Sequence, residues 1–164
     1  MQVKNPKELF VYMLSDVRYG AELANKFFTE LIKLAVDPDV KDALEARLFV
    51  QQQTIETLDK CFTLINEKPV TVNPEIYDVF VENFRKAFAE IQTPGARRVF
   101  ILAKISAIVH LRIGEYVALI AMADWTSHYN VGLLLETCIA DHLAFVERTK
   151  RLIMPRVFEK VATA

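Results

Sequence analysis

The sequence predicts an all-α protein, an up-down four-helix bundle in which the connection between the second and third long helices is long and carries an extra short helix. The 164 residues include 11 Phe but only 4 Gly, which suits a compact helical protein better than a turn-rich sheet protein. Pairs of a capping residue and proline recur along the chain, and apolar residues between them repeat at spacings of three and four. A chain of this length buries one core, so we expect residues 1–164 to form a single domain.

Four of the five predicted helix starts combine Asn, Asp or Thr with a following proline, because the cap side chain accepts a backbone N–H and proline fixes φ where no donor is needed. The four pairs are Asn5-Pro6, Asp37-Pro38, Asn73-Pro74 and Thr93-Pro94. A fifth start follows residues 124–130, which interrupt the periodic pattern, and Pro155 marks the end or a kink of the last helix. The predicted helices cover residues 6–35, 38–66, 74–91, 94–125 and 129–154, with a tail at 155–164.

The first two long helices each carry one apolar stripe, the pattern of a helix that buries a single face. The first stripe contains Phe10, Met13, Leu14, Val17, Ala21, Ala24, Phe28, Leu31 and Ala35. The second contains Leu44, Leu48, Ile55, Leu58, Phe62 and Ile65. Short connections within the first and the last pair of long helices predict antiparallel neighbours.

Residues 99–122 are apolar nearly all round, which is typical of a membrane span or of the central helix of a soluble bundle. Lys104, Arg112 and Glu115 lie within this run, and each would be costly in hydrocarbon. We therefore expect a core helix and no membrane span.

Charge and cysteine content exclude several further classes. Twenty basic residues against 21 acidic ones leave a formal net charge of −1, so no overall field attracts nucleic acid. The N-terminus lacks the apolar stretch of a signal peptide, and two widely separated cysteines form neither a disulfide framework nor a paired metal motif. We expect a cytoplasmic protein in which Cys61 and Cys138 are small core residues.

Three segments resemble the YciF-type family of bacterial ferritin-like stress proteins. They are LSD at Leu14, RRVFILAKISAIVHLRIGEYVAL from Arg97 and LLLETCIADHLAFVERTKRL from Leu133. The similarity covers about residues 6–154 and is loose over 67–92. The resemblance implies a ferritin-like fold, often dimeric, with a dinuclear metal site on facing helices, since iron or manganese takes carboxylate and imidazole ligands.

Few of the positions that this resemblance assigns to metal ligands hold a ligand here. The positions are Ala21, Phe49, Gln52, Val109, Arg112, Asp141 and Phe145. An ungapped alignment selects Ala21 in the first helix and leaves Glu22 pointing to solvent. We expect that the dinuclear site is lost, that the chain holds no cofactor, and that Phe49, Val109 and Phe145 fill the former site.

Two interpretations of Arg112 stay open. In the first, its guanidinium replaces part of the metal's positive charge and pairs with Asp141 on the last helix. In the second, it lies at the edge of the polar side of its own helix, with Lys104 and Glu115, and bonds Glu115, three residues later in the sequence. Of the histidines, His142 lies on the apolar stripe of the last helix, where a hydrogen-bonded role is more common than metal ligation. His110, Asp141 and His142 are the candidate ligands if a rearranged site exists.

The expected function is that of a non-enzymatic, stress-associated bundle protein that acts through a homodimer or through a partner protein. Nothing in the sequence indicates a catalytic triad or a phosphate-binding loop. Two alternatives remain: a protein that binds iron or manganese at a rearranged site, and a binder of an apolar small molecule in the bundle core.

Overall fold

The computed structural model describes the backbone of residues 3–73 and 75–162, and side chains up to residue 154 except at 74 and 75. Five helices account for its regular structure, and the described residues form no strand. The helices are α1 (Pro6–Leu34), α2 (Pro38–Leu64), α3 (Glu75–Glu90), α4 (Pro94–Trp125) and α5 (Tyr129–Ala162). The predicted all-α bundle with a short helix in its long connection is confirmed.

Three of the predicted caps begin helices as expected. Asn5 Oδ1 accepts from the backbone N–H of Glu8 at 2.9 Å, and Thr93 Oγ1 accepts from Ala96 at 3.3 Å. Asp37 caps α2 in the same manner. The fourth pair includes residue 74, which lies outside the described residues.

The predicted end of the last helix at residue 154 is wrong, because α5 continues to Ala162. Pro155 lacks the N–H that would bond the carbonyl four residues earlier, but the backbone bonds on either side can still carry the helix onward. The residues predicted as a tail are therefore helical as far as Ala162.

The four long helices pack as two antiparallel pairs. α1 packs against α2 and α4, and α5 packs against α4 and α2. Phe10, near the start of α1, stacks on His128 after the end of α4 at 5.9 Å, so these two helices run in opposite directions. α3 contacts α1 and α4 and returns the chain along the bundle, and α4 consequently runs in the same direction as α2.

The core consists of two apolar clusters at opposite ends of the bundle. One cluster includes Phe10, Leu58, Leu119 and Leu135. The other includes Phe28, Leu44, Phe84 and Ile105, with Phe84 packed against the rings of Phe27, Phe88 and Phe100. Between the clusters lies a central polar layer, formed by Arg47, Gln51, Tyr77, Arg112, Tyr116 and His142.

α4 is apolar on its outer side as well as in the core. Among the described helices it alone is long and apolar enough to cross a membrane, a test that core helices of soluble proteins also pass. Only 39% of its most apolar 18-residue window is buried. The exposed remainder includes a mainly apolar outer face, in which Asp124 near the end of the helix is charged and the other members are Val99, Ala103, Ala107, His110, Leu111, Gly114, Val117, Ala121 and Trp125.

Candidate functional site in the bundle centre

Arg47 lies at the centre of the polar layer and is only 3% exposed. Its Nη2 donates to Gln51 Oε1 at 3.0 Å and lies 2.9 Å from His142 Nε2. The guanidinium carbon lies 5.5 Å from the ring centre of Phe145 and 6.0 Å from that of Phe28. The cation is thus held by neutral acceptors and by aromatic faces.

His142 is held in its neutral form by these contacts. Its Nδ1 lies 2.6 Å from the carbonyl oxygen of Cys138, to which an N–H donates, so Nε2 is left to accept from Arg47. Burial, reinforced by the charge of Arg47, lowers the pKa of His142 to about 3. A protonated His142 would set two cations side by side in the core.

Gln51 connects the polar layer to the first helix. Its Nε2 donates to the backbone carbonyl of Ala21 at 3.2 Å, while its Oε1 accepts from Arg47. A chain of hydrogen bonds therefore runs from α1 through α2 to α5. Such a buried network fixes the relative positions of the three helices if its members are satisfied.

Arg112 brings a second guanidinium to the layer, from α4. It forms an ion pair with Glu115 on the same helix and lies 3.9 Å from Asp16 Oδ2. Its Cζ lies 5.2 Å from the ring centre of Tyr77. Burial raises the pKa of Glu115, and the charge of Arg112 opposes that rise.

Gly20 allows Arg112 to lie this deep in the bundle. A Cβ at Gly20 would stand 1.9 Å from Arg112 Nη2 and 2.3 Å from Cζ. Only a residue without a side chain leaves space for the guanidinium at this point in α1.

A small cavity of about 10 Å³ lies in the layer and is bordered by Arg47, Tyr77 and Arg112, among others. Nε and Nη1 of Arg47, Nε of Arg112 and the Tyr77 hydroxyl are buried and find no hydrogen-bond partner among the described residues. Burial also raises the pKa of Tyr77, so its hydroxyl keeps its proton and can donate. The cavity has space for about one water molecule or one ion of similar size.

The structure brings four of the seven predicted site residues into the interior and leaves three outside. Ala21, Val109, Arg112 and Phe145 are buried. Phe49 is 67% exposed, and Gln52 and Asp141 are also exposed. The prediction that Phe49 helps to fill the bundle centre is therefore wrong, and Arg47 and Gln51 are the α2 residues that face it.

The error at α2 has a geometric cause. Phe49 stands two residues after Arg47, about 200° around the helix, so the two side chains point to nearly opposite sides. The predicted stripe contained the information needed to correct it, because steps of three, four and four from Leu44 lead through positions 47 and 51 to Ile55. The alignment implied by the family resemblance instead put a ligand position at Phe49.

The first of the two interpretations of Arg112, a pairing with Asp141, is wrong. Asp141 is exposed on α5, where it borders a surface pocket with Thr57 and Lys60. Arg112 instead bonds Glu115, the partner in the second interpretation, although it is buried as the first required. The burial of Arg112 thus agrees with the first interpretation, and its partner agrees with the second.

The three candidate replacement ligands are not brought together. His110 lies on the exposed side of α4 and bonds the carbonyl of Ser106, whereas His142 is buried and Asp141 is exposed on α5. Among the described residues, no three His, Cys, Asp or Glu side chains gather where they could hold a metal ion. Two guanidinium groups face the interior, and this side-chain set does not fit a dinuclear centre, which requires carboxylates.

Both cysteines are buried in the apolar cluster near the start of α1, as predicted. Burial raises the pKa of Cys61 to about 12 and that of Cys138 to about 11. Neither thiol is therefore activated as a nucleophile or metal ligand.

Two solved structures share this fold. YcfI from Rhodopseudomonas palustris, described as a candidate structural protein, is 25% identical over 91% of this chain and 95% of its own, with a TM-score of 0.87. The stress protein YciF from E. coli is 17% identical over 94% of this chain and 98% of its own, with a TM-score of 0.89. No curated protein is significantly similar in sequence. Residues 5–162 match the family described as a domain of unknown function, DUF892, so the chain belongs to this family and its YciF-type resemblance is confirmed.

Proposed function

We propose that the chain is a ferritin-like, stress-associated protein of the cytoplasm that has lost the dinuclear metal site and acts without catalysis, through contacts of its outer surface. The observation that carries this proposal is the composition of the central polar layer. Arg47 and Arg112 face the interior where two metal ions would require several negative charges. The descriptions of YciF as a stress protein and of YcfI as a candidate structural protein are consistent with such a role.

A metal measurement tests the first part of the proposal. Protein purified without chelator, and protein incubated anaerobically with ferrous iron or manganese and then desalted, is examined by elemental analysis and circular dichroism. We expect a folded helical protein with metal far below one ion per chain. Near-stoichiometric iron or manganese would contradict the proposal and support the alternative of a rearranged metal site.

The outer face of α4 supports a homodimer as the form in which the protein acts. Nine of its ten exposed residues from Val99 to Trp125 carry no formal charge with histidine neutral, and several of them are Ala or Gly; the tenth is Asp124, near the end of the helix. A continuous apolar surface of this kind marks an interaction site, and small residues let two helices approach closely. A second copy fits because two such faces, related by a two-fold axis, cover each other and bring mainly apolar side chains together.

Mass measurement in solution tests this interface. We expect light scattering after size-exclusion chromatography to give twice the chain mass for the wild type and one chain mass for Val117→Glu, since Val117 is 56% exposed on this face. The matched control is Val36→Glu, at a residue that is 81% exposed between α1 and α2, and it should remain dimeric. A monomeric wild type, or a dimeric Val117→Glu protein, would contradict the interface.

The alternative of an apolar ligand in the bundle core receives no support from the central cavity. Small-molecule sites commonly enclose about 300–1,000 Å³, whereas this cavity has a volume of about 10 Å³. Its border also carries two cations. A drug-sized apolar molecule would have to displace the polar layer to enter.

A further inference from the structure

Arg47 carries a buried positive charge that is not matched by a nearby carboxylate. Its hydrogen-bonded partners, Gln51 and His142, are both neutral. Asp141 influences Arg47 only through space, from the exposed side of α5, and the described residues include no ion pair of Arg47. A buried charge without a counter-charge is expensive, so this position favours an anion beside it.

Arg112 differs from Arg47 because two carboxylates lie beside it, Glu115 in an ion pair and Asp16 at 3.9 Å. Both contacts use Nη1 and leave Nε buried without a partner in the described part of the chain. Arg47 is consequently the guanidinium of the layer for which the described residues supply no ion pair.

Donors without partners surround the central cavity on several sides. Arg47 lines it from α2, Tyr77 from α3 and Arg112 from α4. Each of these residues has at least one buried polar atom that finds no partner in the described part of the chain, and Arg47 is more than nine-tenths buried. A guanidinium and a hydroxyl that line one cavity and have buried atoms without partners supply the kind of donors that bind an anion.

We propose that the central polar layer binds a single halide ion, chloride under ordinary conditions, between Arg47, Tyr77 and Arg112. The cavity volume of about 10 Å³ fits an ion of one atom and excludes sulfate, phosphate or a carboxylate-bearing metabolite. The ion supplies the negative charge that Arg47 lacks and accepts from the donors that the protein leaves unpaired. It is independent of what the outer surface binds, so the metal and mass measurements neither establish nor exclude it.

The competing occupant is a water molecule, which would accept from the same donors without offsetting the charge. The two occupants differ in a measurable way, since a bound ion makes stability depend on halide concentration and water does not. Bromide is a suitable probe because it resembles chloride in charge and size and scatters X-rays anomalously.

A thermal unfolding titration provides the test in solution. Sodium gluconate is replaced stepwise by sodium bromide at constant ionic strength, and unfolding is followed by circular dichroism at 222 nm. At a bromide concentration ten times the Kd, the ratio of folded to unfolded protein rises about 11-fold, which raises Tm by about 3–6 °C for a chain of this size. We expect a saturable increase of this kind, and no bromide-dependent increase would overturn the proposal.

Matched variants locate the effect. Arg47→Met should abolish the bromide-dependent shift, and Tyr77→Phe, which keeps the ring and removes only the hydroxyl, should weaken it. The control is Arg98→Met, at another buried arginine, because Arg98 pairs with Asp37 at 2.9 Å near the start of α4 and does not border the cavity. An undiminished shift in the Arg47→Met protein would place the ion elsewhere and overturn the proposal.

Crystals soaked in bromide give an answer that does not depend on whether Arg47→Met folds. We expect an anomalous peak at the bromine absorption edge in the central cavity of the wild type and a weaker peak in Tyr77→Phe. A wild-type cavity without anomalous signal would overturn the proposal.

Discussion

Replacing Gly20 by alanine tests whether the position of Arg112 is set by the missing side chain in α1. The new Cβ would lie 1.9, 2.3 and 2.7 Å from Nη2, Cζ and Nη1 of the guanidinium. Contacts this short cannot exist, so the guanidinium must leave its place. It would then lose its contact with Tyr77 and its present ion pair with Glu115.

Two opposing effects determine the size of the change. Alanine in a helix interior is favoured over glycine by about 0.5–1 kcal/mol. Displacing Arg112 removes a charged hydrogen bond worth about 1.5–3 kcal/mol and a cation–π contact worth about 0.5–2 kcal/mol. These losses are upper limits, because the guanidinium is the end of a flexible side chain and can form part of its contacts anew, so we expect Gly20→Ala to lower the free energy of unfolding by about 1–2 kcal/mol.

Urea unfolding followed by circular dichroism measures this difference. The matched control is Gly132→Ala, where the new Cβ would lie 3.7 Å from both Ala123 Cβ and Asp124 Oδ1, an ordinary contact, and the variant should gain about 0.5–1 kcal/mol. In an Arg112→Ala background, Gly20→Ala should likewise become stabilising, because the obstacle is gone. If Gly20→Ala stabilises the wild type as much as Gly132→Ala does, the close approach of Arg112 to α1 is refuted.

Three further predictions address the core. The pKa of His142 is lowered from 6.5 to about 3, so the neutral histidine contributes fully to stability above pH 6.5, and this contribution is lost as the pH falls toward 3. Between pH 7 and 5 the free energy of unfolding should fall by about 2 kcal/mol for this reason. His142→Gln should remove this loss in pH-dependent urea unfolding, whereas His110→Gln, at an exposed histidine, should keep it, and equal losses in both variants would disprove the assignment. Phe84→Ala should lower the free energy of unfolding by about 3–5 kcal/mol, and Phe49→Ser should lower it by less than about 0.5 kcal/mol, because the first ring is buried and the second is 67% exposed. A large decrease for Phe49→Ser would place that ring in the core. Arg112→Met should lower the free energy of unfolding by clearly more than the ~1 kcal/mol of a surface pair, since it leaves the half-buried carboxylate of Glu115 without its cation. An unchanged free energy of unfolding would contradict the buried pair.

Helix positions could be predicted from the sequence because the signals that begin a helix are local. Asn5 and Thr93 each supply an acceptor to the first turn, and the proline that follows each of them needs no donor. Pro155 misled the same reasoning, because a proline removes one hydrogen bond from a helix without necessarily ending it. Local chemistry therefore predicted helix starts better than the last helix end.

The residues of the bundle centre could be predicted only in part, because they depend on which face of each helix turns inward. Ala21 was placed inside and Glu22 outside from the α1 stripe, and the structure confirms both, with Glu22 bound to Arg18 near the surface. The prediction failed in α2 because the alignment implied by the family resemblance put Phe49, and not Arg47, at an interior position. A buried arginine between neutral acceptors is an exception to the rule on which such predictions rest.

The neutral state of His142 and the proposed halide are connected through Arg47. Protonation of His142 sets a second cation 2.9 Å from the Arg47 guanidinium, and an anion in the same layer offsets part of that repulsion. Because linkage is reciprocal, bromide should then raise the pKa of His142 in the folded protein, and it should reduce the stability lost as the pH falls from 5 toward 3, where the folded protein begins to bind this proton. Urea unfolding at pH 5 and near pH 3, in bromide and in gluconate, measures this effect, with His142→Gln as the variant in which bromide should no longer change the acid loss. Identical acid losses of the wild type in the two salts over this range would mean that no anion acts on this histidine.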